Sequence, residues 1–357
     1  MKPRGTIKST PADFQVDEIP AYEPSGEGSH LYLHLRKTNR TTDQVVADVA
    51  RALGIERRGV GVAGVKDKVA VTTQWISVPA EGGGDLDERA RALAIDGVDV
   101  LAVKRHGNKL KTGHLHGNRF AIVVRGVDPA RAAEIAASFE RIAKEGVPNA
   151  FGAQRFGKHG DNVERARAWL TGSARAPADP RLRRFHFSAV QSAAFNAVLE
   201  ERVKDGSWIV PLHGDLLKKE ETGGMFVCTD VQQDRERAAA GEVCPTGPIV
   251  GDKMRQPEAD AFDLEQRIVA PFIEGIDLRR ARSLGEGTRR ALRLRVSELL
   301  HSSTNDEVAP TPGAVGQSYV SVRFVLPKGA YATTVLSNVF DMIDADREPL
   351  SENETEE

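Results

Sequence analysis

Stretches of alternating apolar and polar residues follow one another near the N-terminus, and no helical segment separates the first two. "FQVDEI" spans residues 14–19, and "LYLHLR" spans residues 31–36, where the three leucines fall on one face. This period of two predicts strands with one buried face. Further strands are predicted at "TTQWISV", "DVLAVKRH" and "RFAIVVRGV". Because these strands lack the strict β-α-β rhythm of a doubly wound sheet, they predict an α+β fold with a mainly antiparallel, mixed sheet.

Helical patterns are interspersed among these strands. In "TTDQVVADVARALG", Thr41 and Gln44 have the spacing of a capping box, a valine and leucine stripe follows, and Gly54 supplies the stop. "PARAAEIAASFERIAKEG" predicts another helix that ends at Gly146. Near the C-terminus, the sequence predicts a strand at "YVSVRFVLP" and a helix over "ATTVLSNVFDMI", residues 332–343.

The character of the chain changes between about residue 160 and residue 310. Helices such as "FSAVQSAAFNAVLEERV" dominate there, with arginine-rich connections, and strand alternation returns only at "YVSVRFVLP". A length of 357 residues also exceeds the usual size of one domain. We therefore predict one domain formed by residues 1–158 and 312–345, an insertion at 159–311, and an acidic tail at 346–357 that is expected to be disordered.

Composition excludes several classes of protein. The hydrophobic fraction of 40% and the charged fraction of 28% are typical of a globular chain. The two cysteines, Cys228 and Cys244, form no CxxC pair, so neither a zinc finger nor a disulfide framework is indicated. No run of about 18 apolar residues and no signal peptide occurs, which predicts a cytoplasmic protein without membrane attachment.

Positive charge is concentrated in two segments although the net charge is −2. Residues 104–119, "KRHGNKLKTGHLHGNR", contain no acid, and seven arginines lie between Arg279 and Arg295. Both segments could bind phosphates of a folded nucleic acid. For the second segment, the alternative that its arginines solvate the surface and pair with acids is nearly as good. A metal pair formed by His114 and His116 lacks a third ligand nearby, so RNA-facing surface is the favoured interpretation there.

The stretch "GVKDKVAVTTQ" places Asp67 between two lysines after a glycine-containing turn. The G-x-x-x-x-G spacing at residues 59–64 suggests a phosphate-binding loop, but the lysine is one residue late and Asp67 occupies the position of the magnesium-binding Ser or Thr. Asp67 could also be a solvated turn residue. A third interpretation is a held carboxylate that acts as nucleophile or base. The small and hydrogen-bonding side chains of Ala70, Thr72 and Gln74 favour this third interpretation.

"GVKDKVAVTTQ" resembles the G-x-K-D-x-x-A-x-T-x-Q signature of the TruD family of tRNA pseudouridine synthases at every fixed position. Other pieces resemble the family in the expected order: "IKSTPADFQVDE", "GEGSHLYLHLRKT", "GNRF", "VPNAFGAQRFG" and "FSAVQSAAFNAVLEERV". The resemblance covers nearly the whole chain except the acidic tail. It implies a pseudouridine synthase catalytic domain with an inserted α/β domain of the TRUD type, and a cleft where the two meet.

The resemblance also implies roles for individual residues. Asp67 would be the catalytic carboxylate that attacks the target uridine or abstracts its sugar proton. The substrate-binding residues would be Lys8, Asn118 and Phe120, the last stacking on the uracil, with Phe151, Gln154 and Arg155 in a further wall of the cleft. The RNA-binding side chains would come from the first basic segment, namely Lys104, Arg105, Lys109, Lys111 and Arg119.

Elementary chemistry makes these residue types sensible for that reaction. A departing uracil carries negative charge, so donors and a cation nearby lower the barrier. An aspartate in ordinary surroundings is ionised at neutral pH, and an aromatic ring can hold a flipped base by its face. The isomerisation involves no net redox change or group transfer, so no cofactor and no metal are expected. The expected partner is tRNA, modified at position 13 of the D-arm by a monomeric enzyme. The alternative from another class is an RNA-binding module that has lost activity.

Overall fold

The computed structural model describes residues 1–80, 85–157, 159–303 and 318–346. These residues form two compact units. Unit 1 comprises Met1–Lys144 and the described part of Val296–Glu357, and unit 2 comprises Glu145–Arg295. The expected boundary between residues 311 and 312 lies outside the described residues, as does the expected tail from residue 347 onward.

Strands supply the framework of both units. In chain order they are β1 (Arg4–Ile7), β2 (Phe14–Pro20), β3 (His30–Thr38), β4 (Gly61–Val62), β5 (Val71–Pro79), β6 (Val98–His106), β7 (Leu115–Arg125), β8 (Val147–Pro148), β9 (Leu216–Lys219), β10 (Met225–Val227), β11 (Val243–Ile249), β12 (Thr288–Ala291), β13 (Arg293–Leu294), β14 (Ser297–Ser303), β15 (Tyr319–Pro327) and β16 (Asp341–Asp344).

The α-helices pack on these strands. They are α1 (Thr42–Leu53), α2 (Leu86–Arg91), α3 (Ala132–Glu145), α4 (Asn162–Leu170), α5 (Pro180–Lys204), α6 (Val231–Ala240), α7 (Ala259–Ile273) and α8 (Ala332–Leu336). Short 3-10 helices occur at Pro11–Asp13, Arg57–Gly59, Pro129–Arg131, Ala153–Arg155 and Arg280–Ser283.

A ten-stranded sheet forms the centre of unit 1, with the path β14-β15-β7-β2-β5-β3-β6. Neighbours on this path are antiparallel except β2 and β5, which run parallel. Off the path, β1 pairs parallel with β16 and antiparallel with β7, and β4 pairs with β5. The predicted α+β class with a mainly antiparallel, mixed sheet is confirmed.

The helix predicted at residues 41–54 is α1. The side chain of Thr41 accepts a hydrogen bond from the Gln44 amide, and Gly54 ends the helix with φ +69°. Its apolar stripe covers the leucine face of β3, where each buried aliphatic side chain contributes about 1.5–3 kcal/mol. This core contains Leu31, Leu33, Leu35, Val45, Val49, Leu53, Ile76 and Val78.

The helix predicted over residues 332–343 is wrong in its second half. Helix α8 ends at Leu336, and Asp341–Asp344 form strand β16 instead. The edge of β1 offers unpaired backbone groups to this segment, and Asp341 N–H donates to the carbonyl oxygen of Pro3 at 2.8 Å. Phe340, which is buried, packs edge-on against Phe139 of α3 at 6.1 Å between ring centroids. Tertiary pairing therefore overrides the local helical pattern.

Unit 2 combines the long helix α5 with a four-stranded sheet of order β10-β9-β11-β12 and the small pair β13-β8. Phe195 and Leu199 of α5 pack with Trp208 and Leu292 in one of its apolar clusters. A buried ion pair joins Arg202 to Asp215 at 2.6 Å, and both side chains have no exposure. Unit 2 overlaps the insertion expected at residues 159–311, and it contains helices together with a small antiparallel sheet.

Candidate active site

Asp67 lies in the loop between β4 and β5, and its carboxylate is half exposed. The Oδ1 atom accepts a hydrogen bond from Lys8 Nζ at 3.1 Å. The side chain of Lys8 is only 7% exposed. Asp67 is therefore not a freely solvated turn residue, because a buried cation holds one carboxylate oxygen while the rest of the group is reachable by a ligand.

Lys8 follows β1 directly and has unusual backbone geometry. Its φ of +59° lies in the left-handed region, which residues other than glycine rarely adopt. Nζ lies 3.8 Å from Asp344 Oδ2 and 4.8 Å from the centre of the Phe14 ring. A second carboxylate and an aromatic face thus fix the ammonium that contacts Asp67.

The phosphate-binding loop interpretation of residues 59–68 is wrong. Such a loop leads from a strand into a helix whose N-terminus faces the phosphate. Here residues 57–59 form a 3-10 turn, residues 61–62 form β4, and the chain enters strand β5 at Val71. The loop that carries Asp67 therefore has no helix N-terminus following it.

A buried ion pair anchors the residue before Asp67. Lys66 Nζ contacts Glu18 Oε2 at 2.6 Å, with side-chain exposures of 4% and 1%. The other carboxylate oxygen of Glu18 accepts a hydrogen bond from the Trp75 backbone amide at 3.2 Å. The Lys66 backbone amide donates to Thr42 Oγ1 at 3.0 Å. The backbone on the N-terminal side of Asp67 is thereby tied to β2, β5 and the first turn of α1.

Lys37 on β3 holds the backbone of Asp67 itself. Its side chain is 1% exposed, and Nζ donates to the carbonyl oxygens of Asp67 and Arg40, each at 2.6 Å. Burial lowers the pKa of Lys37 from 10.5 to about 8, an effect that Asp67 opposes and Lys66 reinforces. The sequence-based set of site residues missed both Lys37 and Glu18.

A signal for these two residues was present in the strand alternation. Glu18 continues the buried series of Phe14 and Val16 in β2, and Lys37 continues the leucine face of β3. A charged side chain at a position whose period predicts burial indicates a specific partner, because an unpartnered buried charge is costly.

Phe120 and Asn118 occupy neighbouring inward positions on β7. Phe120 is 5% exposed, with its ring 6.2 Å from that of Phe14 in an edge arrangement and 5.4 Å from that of Phe324. Phe14 is also the ring beneath Lys8, so contacts lead from Asp67 to Phe120 through Lys8 and Phe14. Stacking of a base on Phe120 stays a prediction.

Some buried polar atoms on this part of the sheet have no hydrogen-bond partner within the described residues. They include Asn118 Oδ1, Thr72 Oγ1 and Gln74 Nε2. Strand pairing places Thr72 opposite Val16, and Asn118 opposite Glu18. Buried polar groups in folded proteins are nearly always satisfied, so these atoms are candidates to bind a ligand.

Gly117 begins the "GNRF" motif for a packing reason. A Cβ at this position would lie 2.2 Å from the carbonyl oxygen of Leu326 on β15. Any larger residue would push β7 and β15 apart and would displace Asn118. The glycine thus supports the position of the expected site residues that follow it.

Phe151 and Arg155 belong to unit 2. The guanidinium of Arg155 lies 5.6 Å from the centre of the Phe151 ring, and that of Arg290 lies 4.2 Å from it. Asn196 hydrogen-bonds both the amide and the carbonyl of Phe151, at 2.9 and 3.0 Å. Gln154 lies in the 3-10 helix Ala153–Arg155, and its side chain is outside the described part of the chain. Arg290 was not among the expected site residues.

The first basic segment lies on β6, β7 and the turn between them. Several of its charges have partners: Arg105 pairs with Asp87, Arg119 with Glu298, and Lys104 approaches Glu23 at 3.8 Å. Lys109 donates to a backbone carbonyl at 2.7 Å, and Lys111 is exposed. A role of these five residues in RNA binding remains a prediction.

The buried arginines of the second basic segment pair with groups of the protein and do not face a nucleic acid. Arg289 pairs with Glu265 at 2.5 Å, with side-chain exposures of 0% and 3%. Arg293 donates to the Ala238 and Val243 carbonyls inside unit 2. The exposed Arg280 contacts Asp277 at 3.3 Å. Arg289 and Arg293 therefore stabilise unit 2 and are not available to phosphates.

His114 and His116 do not form a metal-binding group in the described ranges. The ring of His114 contacts the Tyr22 hydroxyl at 2.8 Å, and no set of three His, Cys, Asp or Glu side chains comes together in those ranges. No helix within the described ranges is both long and apolar enough to span a bilayer.

The fold and the site define a class of protein. A long, mainly antiparallel mixed sheet carries a half-exposed carboxylate, bound by a lysine, on a loop at the start of one strand. The mixed sheet with its packed helices is consistent with a pseudouridine synthase fold. The crystal structure of a candidate tRNA pseudouridine synthase D (TruD) from Methanosarcina mazei superposes with a TM-score of 0.76 at 23% identity, covering 96% of this chain and 95% of that one. This likeness shows the fold.

Sequence comparison identifies the family within that class. The family model for tRNA pseudouridine synthase D (TruD) matches residues 3–166 and 171–339. A protein named tRNA pseudouridine synthase D from Anaeromyxobacter sp. (strain Fw109-5) is 46% identical over 340 residues, which are 93% of this chain and 91% of that protein. One of the same name from Thermus thermophilus is 39% identical over 337 residues, 94% and 88% of the two chains. The chain belongs to the TruD family.

Proposed function

We propose that this protein converts uridine to pseudouridine in tRNA, at position 13 of the D-arm, with Asp67 as the essential carboxylate and without a cofactor. The observation that carries the proposal is the half-exposed Asp67 carboxylate bound by the buried ammonium of Lys8, within the signature of the TruD family. Relatives that are 39% and 46% identical over most of their length carry the name tRNA pseudouridine synthase D. The protein is accordingly an isomerase.

The reaction leaves the composition of the nucleoside unchanged. The bond from C1′ of the ribose to N1 of the uracil breaks, a bond from C1′ to C5 forms, the C5 hydrogen leaves to solvent, and N1 takes up a proton. Asp67 either attacks the sugar or abstracts a proton from it, and both routes place the same carboxylate beside the ribose. Nothing is oxidised or reduced.

The surroundings of Asp67 suit a departing base. Lys8 places a positive charge 3.1 Å from the carboxylate, and a cation near the uracil would stabilise the negative charge that develops on it. Asn118 Oδ1, which has no partner within the described residues, would accept a hydrogen bond from a uracil N–H. Phe120 would support the flipped base by its face.

Further residues would hold the rest of the RNA. Phe151, Gln154 and Arg155 would contact the substrate, with Phe151 fixed through Asn196. Lys104, Arg105, Lys109, Lys111 and Arg119 would approach phosphates, which fix the position of an RNA without reading its sequence. The enzyme is expected to act as a monomer in the cytoplasm.

Tritium release from tRNA containing 5-tritiated uridine tests the reaction. Wild-type protein should release one label for each uridine converted, and Asp67→Asn should abolish release while tRNA affinity stays within about tenfold. Asp99→Asn is the matched control, because Asp99 is an exposed aspartate that pairs with Arg36 on the surface. Release that Asp67→Asn leaves unchanged would refute the assignment of Asp67.

The same assay separates an enzyme from a binding module without activity. Such a module would bind tRNA and release no label. A map of pseudouridine in tRNA from cells that lack this protein identifies the modified position. Loss of the modification at position 13 is the expected result, and loss at another position alone would overturn the D-arm assignment.

A further inference from the structure

Lys37 is a buried lysine whose ammonium binds main-chain oxygens. Nζ donates to the carbonyls of Asp67 and Arg40, at 2.6 Å each. Lys37 lies near the end of β3, opposite Thr72 of β5, and β5 is the strand that follows the Asp67 loop. The side chain therefore joins the interior of the sheet directly to the main chain of the proposed catalytic residue.

A charge at this position is costly to the fold. Burial lowers the pKa of the Lys37 ammonium, which shows that its surroundings disfavour the charged form. An apolar side chain of similar length would avoid that cost but would leave the carbonyl oxygens of Asp67 and Arg40 without this donor. Packing alone therefore does not explain a lysine at position 37. The hydrogen bonds that it donates to the two carbonyl oxygens explain it.

Three lysines contact the Asp67 segment from different directions. Lys8 binds the Asp67 carboxylate, and Lys37 binds the Asp67 carbonyl oxygen. Lys66, the residue before Asp67, pairs with Glu18. Lys66 thus ties the backbone before Asp67 to Glu18 of β2 and, through its own amide, to Thr42 of α1. Of the three lysines, Lys37 is the one that binds a main-chain atom of Asp67 itself, and it ties that atom to β3.

We propose that Lys37 is a positioning residue for the reaction, which holds the Asp67 main chain so that the carboxylate meets the ribose at the correct distance. The proposal rests on the proposed function of Asp67. Lys37 does not touch the substrate in this scheme. Its loss should therefore lower kcat and leave KM for tRNA nearly unchanged.

The test compares Lys37→Met and Lys37→Arg with the wild type in steady-state tritium release and in thermal unfolding. Misplacement of a catalytic group by about 1 Å costs roughly 100-fold in rate, so Lys37→Met should lose about that factor in kcat, with KM within about threefold. Its melting temperature should change little, because removal of the buried charge offsets the loss of two hydrogen bonds to carbonyl oxygens. Lys37→Arg, which keeps charge and donors, should recover at least part of the rate.

Lys2→Met is the matched control. Lys2 Nζ also donates to a backbone carbonyl at 2.6 Å, that of Ser337, but this hydrogen bond is exposed and does not involve the Asp67 loop. This variant should retain the wild-type kcat. A wild-type kcat in Lys37→Met would overturn the proposal, and so would a loss of rate in both Lys37 variants that only follows a loss of folded protein.

Amide hydrogen exchange separates this proposal from the proposed function. Peptides that cover residues 63–70 should exchange faster in Lys37→Met than in the wild type, while peptides from β7 should not change. If wild-type protein released no tritium yet the exchange changed as expected, the proposed function would fail and the positioning contact would stand. Unchanged exchange in residues 63–70 would refute the positioning role whatever the activity.

Discussion

Lys8 and Asp67 are 59 positions apart in the chain, and Lys8 Nζ donates to Asp67 Oδ1 at 3.1 Å. The pair joins the end of β1 to the loop before β5. The lysine is buried and the carboxylate half exposed, so the cation lies behind the carboxylate as seen from solvent. A substrate that reached Asp67 would meet an acid whose orientation is already fixed.

Removal of the Lys8 ammonium should slow the reaction more than it weakens tRNA binding. In Lys8→Met the carboxylate loses its orienting contact and the departing base loses a nearby cation, so kcat should fall by roughly 10- to 100-fold. Single-turnover tritium release at saturating enzyme measures the change. The rate of Lys8→Arg should lie between those of the wild type and Lys8→Met. An unchanged rate in Lys8→Met would contradict the role of the pair formed by Lys8 and Asp67.

Loss of the ion pair between Lys66 and Glu18 should lower the free energy of unfolding more than it weakens tRNA binding. Both side chains are almost fully buried, and removing one partner of such a pair leaves an uncompensated charge that costs about 3–5 kcal/mol. Lys66→Met and Glu18→Leu should each lower the free energy of unfolding of unit 1 by about that amount in urea titrations. The double variant should recover much of the loss, and additive losses would argue against a coupled pair.

Much of unit 1 is predictable from sequence because its signals are local. The strands at residues 14–20, 30–38 and 319–327 follow from alternation, and α1 follows from its capping box and its terminal glycine. The helix expected at residues 332–343 failed after Leu336, because the pairing of β16 with β1 is a contact between the two ends of the unit. No local pattern contains that information.

The site was predictable only in part for the same reason. Asp67 and Lys8 could be named from motifs, but their contact depends on strand pairing between distant segments and on the left-handed φ of Lys8. Lys37 looks like an ordinary surface lysine unless the phase of the strand is followed past Leu35. A lysine at a strand position whose alternation predicts burial indicates that a partner is needed. The sequence does not show which partner, because the carbonyl of Asp67 belongs to a distant loop.

Two arginines of the second basic segment should behave in opposite ways. Arg289→Met leaves Glu265 buried without its partner and should destabilise unit 2 by about 3–5 kcal/mol, whereas Arg280→Met, at an exposed position, should change stability by no more than about 0.5 kcal/mol. Urea unfolding followed by a probe in unit 2 checks both values. Equal effects of the two substitutions would contradict the assignment of Arg289 to the interior.

The first basic segment should contribute to tRNA affinity through phosphate contacts. If Lys104 and Lys111 each neutralise a phosphate, the double variant Lys104→Ala, Lys111→Ala should bind tRNA more weakly, and the slope of log K against log salt should become shallower by about 0.7–0.9 per contact. Filter binding between low and moderate salt measures the slope. Lys2→Ala serves as the control, and an unchanged slope in the double variant would remove both residues from the RNA surface.

The pH dependence of stability should report the burial of Lys37. Its pKa is lowered from 10.5 to about 8 in the folded protein, with Asp67 and Lys66 as the charged groups that act on it. Between about pH 8 and pH 10.5 the unfolded chain keeps the proton that the folded chain has lost, so the contribution of this group to the free energy of unfolding rises with pH in that window. Below about pH 8 the folded and unfolded states are both protonated at Lys37, and the cost of the buried charge is fully present.

The measurement for Lys37 is the difference in unfolding free energy between wild type and Lys37→Met at a series of pH values, because the contributions of the other titrating groups cancel. This difference should change in favour of the wild type as the pH rises from about 8 toward about 10, and a difference that is independent of pH would show that the ammonium is not buried as the structure has it.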